Sequence, residues 1–289
     1  MFNMKHPELR LLFITANIEV ASFVIKHGAD RVFVDLEILG KVERQGHLNT
    51  VISRHSSEDI SALRPFLPNG SILVRLNPVN INTEVEVEDA IKRGADVLML
   101  PMFRDVSEVR RFCQAVNSRA KVCLLVETVE AMQNLAECVE VPGVDEVHIG
   151  LNDLHLQMGC RFMFEPLVSG HVERMAETIR KAGIPFGIGG IARVGEGTLP
   201  SEMLLSEHAR LGSTGAILSR AFHRQAGSVE EIQAQMNFAD EVQKLRIAYA
   251  ASCGSTIEEL NLQHETVKAF VANIAAKLPN RKQHKSHVL

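Results

Sequence analysis

Two carboxylates follow neighbouring apolar runs of this 289-residue chain: Glu127 near the end of KVCLLVET (121–128), and Asp153 just past EVHIG (146–150). A charge set against such a run is costly unless a partner offsets it. Two carboxylates brought together repel, so they either share a proton or hold a cation. An all-oxygen pair suits a hard divalent ion, Mg²⁺ or Mn²⁺, which keeps positions for water and substrate. Zinc would want more His or Cys; His148 and His155 are the nearby candidates, and each also reads as a hydrogen-bonded core residue. A glycosidase-type acid/base pair is a further chemistry open to two carboxylates. It is disfavoured because the chain has no Trp and one Tyr, leaving little for a sugar to stack on. At Asn152-Asp153 the local alternative is a helix N-cap, since both residue types are favoured there.

More polar residues stand where apolar runs end. Asp35 and Glu37 close RVFVDLE (31–37), Arg75 and Asn77 lie in SILVRLNP (71–78), and Thr128 adjoins Glu127. Arg75 reads in two ways. It is a planar, permanent counter-charge for a developing oxyanion, or the structural partner of Glu37 or Asp35.

Eight apolar, β-branched-rich runs position these residues: 11–17, 31–37, 71–78, 96–101, 121–128, 146–150, 185–190 and 214–220. Most are continuous rather than alternating, as strands covered on both faces require. Amphipathic stretches separate them, and KHGADRVFV, KRGADVLML and KAGIPFGI each read helix, Gly, strand. The alternation predicts an α/β fold, a (β/α)₈ TIM barrel, over a doubly wound sheet. GIGGIARVGEG comes late and lacks dinucleotide-loop spacing. One domain is expected over 1–289, with 229–280 as a helical extension and 281–289 as a flexible tail. Ile257, Leu260, Val267, Phe270, Val271 and Ile274 recur at helical spacing beyond the eighth strand, which predicts a face buried on a neighbouring subunit of a homo-oligomer.

Composition narrows the partners. A net charge of -4 gives no general attraction to nucleic acid. No apolar run approaches a membrane span, and MFNMKHPELR lacks a signal-peptide core. Five scattered cysteines without a CxxC pair predict neither a disulfide framework nor a thiolate zinc site, and a cytoplasmic setting.

Together VRLNP, LPMF, LLVETVEAMQNLAE and VPGVDEVHIGLNDLHLQMG resemble the HpcH/HpaI aldolase and citrate lyase β-subunit family of the phosphoenolpyruvate/pyruvate barrel superfamily. The resemblance runs from about Leu11 to Phe222. It implies a divalent metal held by a glutamate after strand five and an aspartate after strand six, matching Glu127 and Asp153. It also implies an arginine after strand three on the substrate's carboxylate or enolate oxygen, matching Arg75. Asn77 and Asn152, polar residues at the same strand ends, are expected as further substrate contacts. The expected activity is carbon–carbon cleavage or formation of a 4-hydroxy-2-oxo acid through a metal-held pyruvate enolate, the partners being a pyruvate-like 2-oxo acid and an aldehyde. A Schiff-base route needs an interior lysine, and the runs offer only Lys121, at the wrong end.

One departure falls after strand two. Aldolases of the family carry Asp-Gly-Glu-His there and the citrate-lyase-like branch Asp-Leu-Glu-Asp, whereas this chain has Asp35-Leu36-Glu37-Ile38. The base position is thus occupied by isoleucine. Glu37 remains a catalytic candidate, and the following insertion offers Lys41, Arg44 and His47, of which His47 is the expected catalytic one. Two other readings stay open: an acyl-CoA lyase of the malyl-CoA or citryl-CoA type, and a non-catalytic metabolite-binding barrel.

Overall fold

The structure is a computed structural model that describes residues 8–40 and 55–279. Its strands are β1 (Arg10–Ile14), β2 (Arg31–Asp35), β3 (Ile72–Arg75), β4 (Val97–Leu100), β5 (Lys121–Val126), β6 (Val144–Ile149), β7 (Phe186–Ile191) and β8 (Gly215–Leu218). Each lies within or overlaps the run that predicted it. They pair in sequence order, all parallel, and β8 closes on β1 to complete the barrel.

Both faces of each strand are covered, which explains the continuous apolar runs. Leu12, Phe33, Leu73, Val97, Met99, Cys123 and Leu125 fill the interior. Their alternates, such as Val32, Val34, Val74, Leu124 and Val126, pack outward with the helices. Helix-to-strand returns pass through glycines where predicted: Gly28 and Gly94 have φ of 108° and 102°, a region that penalises a side chain.

Polar layers cap the interior at both ends. At the N-terminal floor, Arg31 Nη1 and Nη2 donate to the two Glu146 oxygens at 2.6 and 2.8 Å, and Arg10 Nη1 lies 2.9 Å from the same carboxylate. This cluster seals the floor and lies away from the strand ends where barrels build sites. At the other end stand Asp35, Arg75 and Glu127.

The C-terminal segments fold as helices Phe238–Cys253 and Ile257–Lys277. The second lies against helices Ser201–Leu211 and Glu165–Val168 of the same barrel, burying Leu260, Val267, Val271 and Ala275. The face expected to await a neighbouring subunit is therefore taken up largely within the chain, with Phe270 and Ile274 partly buried and Ile257 exposed. Helix Ser201–Leu211 still had an apolar outer flank to cover, and the extra helix covers it. The predicted tail at 281–289 lies outside the described residues. No described helix is long and apolar enough to cross a membrane.

Candidate active site at the strand carboxyl ends

Parallel register sets the first contact. Asp35 and Arg75 are direct partners across β2 and β3, and both side chains sit at the C-terminal end of the barrel. Arg75 Nε donates to Asp35 Oδ1 and Nη2 to Oδ2, both at 2.9 Å, a bidentate fork. The third nitrogen, Nη1, lies 3.4 Å from Glu37 Oε2, and the guanidinium carbon is 5.5 Å from the Phe33 ring centroid. Burial alone would lower the Arg75 pKa; Asp35, then Glu37 and Glu127, reverse this and raise it, so the group stays charged. Asp35 and Glu37 are themselves buried.

Three polar groups shape the backbone beyond β2. The Asp35 N–H donates to His55 Nδ1 at 3.0 Å, and the Glu37 N–H to Asp35 Oδ1 at 3.3 Å. Asn77 Oδ1 accepts from the N–H groups of Ile38 and Leu39 at 2.9 and 3.0 Å. The expected substrate contact Asn77 thus spends its carbonyl oxygen on pinning the turn after β2. Lys41, Arg44 and His47 lie outside the described residues.

On the opposite side of the rim, β5 and β6 pair through Val126 and Ile149, so Glu127 and Gly150 begin adjacent loops. Glu127 is buried, and its Oε1 accepts the Met102 N–H at 3.2 Å. A Cβ built on Gly150 would come within 3.0 Å of both Glu127 Cβ and Oε2. Asp153 is buried in the first turn of helix Leu151–Gln157, whose N-cap is Gly150 without any side-chain cap bond. The capping reading of Asn152-Asp153 is thereby corrected: both residues are already helical, with Asn152 partly buried. A carboxylate there is favoured by the helix dipole.

The two nearby histidines are held inside the protein. His148 Nε2 contacts the Gly189 carbonyl at 3.1 Å, and burial lowers its pKa to about 4, so the ring is neutral. His155 Nδ1 contacts the Leu151 carbonyl one turn back at 3.2 Å. Among the described residues no group of three or more His, Cys, Asp and Glu side chains gathers as a metal cage. The carboxylates that could hold an ion are those of Glu127 and Asp153, and the absence of a side chain at Gly150 keeps Glu127 from being crowded. Such a set fits a hard divalent ion that completes its shell with water and substrate oxygens.

Sequence reasoning passed over His55, Met102 and Gly150. His55 acts through a ring nitrogen on a backbone N–H, Met102 through its own N–H, and Gly150 through a missing side chain. The one residue-type signal was a glycine between a strand and an acidic first turn.

Residues 10–191 match the family model described as HpcH/HpaI aldolase/citrate lyase. The chain belongs to that family. Among curated relatives, the 4-hydroxy-2-oxo-heptane-1,7-dioate aldolase of Salmonella arizonae is 27% identical over 213 residues, covering 63% of this chain and 75% of the relative. The enzyme of that name from Shigella flexneri is 26% identical over 163 residues, 46% of this chain and 58% of its own length. The match thus spans little more than half of the Shigella relative. Solved structures share the fold: an HpcH/HpaI aldolase from Desulfitobacterium hafniense superposes with a TM-score of 0.58 at 15% identity, covering 79% of this chain and 90% of that one. A family protein from Burkholderia cenocepacia gives 0.58 at 16%, covering 79% and 91%.

Proposed function

We propose that this member of the family is a divalent-metal-dependent lyase that cleaves or forms a 4-hydroxy-2-oxo acid, yielding or consuming pyruvate and an aldehyde. The observation that carries the reading is the rim itself: Arg75, held in its charged form by the buried Asp35, stands at the same barrel mouth as the buried carboxylate Glu127, which also favours its charge. The relatives' printed activity, on a 4-hydroxy-2-oxo dicarboxylate, supports the same class of substrate. A cytoplasmic setting accords with five cysteines that are all free thiols.

Glu127 and Asp153 would hold the ion. When bound, Mg²⁺ or Mn²⁺ supplies Lewis acidity to the 2-oxo acid's carboxylate and ketone oxygens. Arg75 supplies fixed positive charge where the ketone oxygen gains negative charge, at no reorganisation cost because Asp35 already holds it. In the cleavage direction the C4 hydroxyl loses its proton, the C3–C4 bond breaks, and its electron pair becomes the enolate of pyruvate. C3 then takes up a proton. Glu37, whose Oε2 lies 3.4 Å from Arg75 Nη1, would carry the hydroxyl proton. His55 suits the opposite task. Its Nδ1 accepts from Asp35, which puts the proton of the neutral ring on Nε2, making it a donor.

The test is cleavage of a 4-hydroxy-2-oxo acid before and after chelation, with Mg²⁺ or Mn²⁺ added back. Loss and recovery of pyruvate release support the proposal. Full activity in excess chelator, or a borohydride-trapped lysine adduct with pyruvate, would overturn it. A parallel assay with a 3-hydroxyacyl-CoA thioester separates it from an acyl-CoA lyase.

A further inference from the structure

Met102 has a backbone φ of 52°, in the left-handed region, although it is neither Gly, Asn nor Asp. That conformation costs an L side chain about 1–2 kcal/mol, and it persists only when the surroundings enforce it. The residue is buried just beyond β4. What the conformation achieves is specific: the Met102 N–H is delivered to Glu127 Oε1 at 3.2 Å. A second clasp fixes the same turn, for Thr128 Oγ1 donates to the Phe103 carbonyl at 2.7 Å while also accepting from the Ala131 N–H at 3.0 Å. The loops after β4 and β5 are therefore locked together on both sides of Glu127.

The other carboxylate oxygen points the opposite way. Glu127 Oε2 is an atom that a Cβ on Gly150 would meet at 3.0 Å, so it lies on the β6 side, where helix Leu151–Gln157 begins and carries Asp153 in its first turn. Any side chain at 150 would press on Glu127 at two atoms, Cβ and Oε2. The carboxylate is thus set from two directions: one oxygen tied to β4 by a backbone donor, the other admitted toward β6 by an absent side chain.

We propose that Met102 and Gly150 are positioning residues for the metal site, the left-handed N–H at Met102 and the missing side chain at Gly150 together fixing the orientation of the Glu127 carboxylate. The inference rests on the reading of Glu127 and Asp153 as metal ligands. It specifies why the β4 loop, which carries no candidate ligand, matters to metal affinity. Partners that orient a metal-binding carboxylate are typically worth about 10–100-fold in affinity.

The experiment measures Mn²⁺ affinity by calorimetry or by the electron paramagnetic resonance signal of the free ion, with thermal unfolding of the metal-free protein as a control. Met102→Asn tolerates the left-handed region and should bind Mn²⁺ within about threefold of the parent. Met102→Val, β-branched and excluded from that region, should weaken binding about 10-fold or more while remaining folded. Gly150→Ala should weaken it similarly. Placing Met102→Val in a Glu127→Gln background should cost nothing further, because the carboxylate it orients is gone. Equal affinities for Met102→Val and Met102→Asn, or an undiminished cost in the Glu127→Gln background, would overturn the proposal. The underlying reading fails differently: Glu127→Gln would then bind Mn²⁺ as well as the parent does.

Discussion

Arg75 and Asp35 face each other across the β2–β3 ladder, and Arg75 donates two hydrogen bonds of 2.9 Å to the Asp35 carboxylate, so the side chain proposed for catalysis is also half of a part-buried ion pair. The two roles do not compete. Three of the guanidinium's five N–H donors lie on Nε and Nη2, the nitrogens that bind Asp35, and Nη1 is the nitrogen turned toward Glu37.

Both roles predict losses on substitution, of different kinds. Arg75→Met leaves Asp35 and Glu37 buried without their cation and should cost about 3–5 kcal/mol of stability. Turnover per folded molecule should fall about 10²–10³-fold, with the loss mainly in kcat. Arg75→Lys retains charge without the fork and should recover part of each. Adding Asp35→Asn to Arg75→Met should return part of the stability, Glu37 remaining unneutralised, without returning turnover. Urea unfolding and steady-state kinetics on the same preparations separate the effects, and near-normal turnover in folded Arg75→Met would remove Arg75 from the chemistry.

The carboxylate pair predicts a separable phenotype. Glu127→Gln and Asp153→Asn preserve shape and hydrogen-bonding atoms, so both variants should fold. Metal affinity should fall by at least about 10-fold in each, since a two-carboxylate site loses half its charge. Melting temperatures measured with and without Mg²⁺ provide the check: the parent should gain stability from the ion by mass action, and the variants should not.

The barrel was legible because each strand is an uninterrupted apolar run between turn signals, a pattern that burial on both faces forces. Glu127, Asp153, Asp35 and Arg75 were legible for the converse reason, as charges placed where packing does not want them. What escaped was what residue types do not encode. Asn77 reads as a ligand contact, yet its oxygen serves two backbone N–H groups, and nothing in the letter N distinguishes those tasks. The cap that Asn152-Asp153 offered as an alternative is not made, because Gly150 ends the strand early enough for the helix to start at Leu151. The last helix carried a true apolar stripe; sequence alone did not reveal that helices Ser201–Leu211 and Glu165–Val168 left it a place to lie.

Buried neutral histidines should make the fold acid-sensitive. Burial lowers the pKa of His148 to about 4 and that of His208 to about 3, the latter helped by repulsion from His148. An unfolded histidine titrates near 6.5. Between those values the unfolded chain binds protons that the folded one refuses, so stability is complete above pH 6.5 and is lost as pH falls toward 4. From pH 7 to pH 5 each should remove about 2 kcal/mol. His148→Gln should flatten that slope in urea titrations at the two pH values. An unchanged slope would mean that His148 takes up its proton in the fold as readily as in the unfolded chain.

The C-terminal helix should depend on one buried carboxylate. Glu207 is fully buried on helix Ser201–Leu211; its Oε2 accepts from Arg210 Nε and Nη2 at 3.1 and 3.0 Å, and its Oε1 pairs with His264 Nδ1 at 2.8 Å. Arg210 extends the chain to Glu173 at 2.6 Å, linking three helices through charge. Glu207→Leu removes the shared acceptor and leaves Arg210 largely buried with Glu173 alone, an imbalance worth about 3 kcal/mol. His264→Leu loses only one charge-assisted bond and should cost about 1.5–3 kcal/mol. Hydrogen exchange locates the damage: both variants should expose amides of Ile257–Lys277 before those of the strands. Unchanged protection in Glu207→Leu would mean that Val267 and Val271 hold the helix by apolar contact alone, with the charge network contributing nothing to its docking.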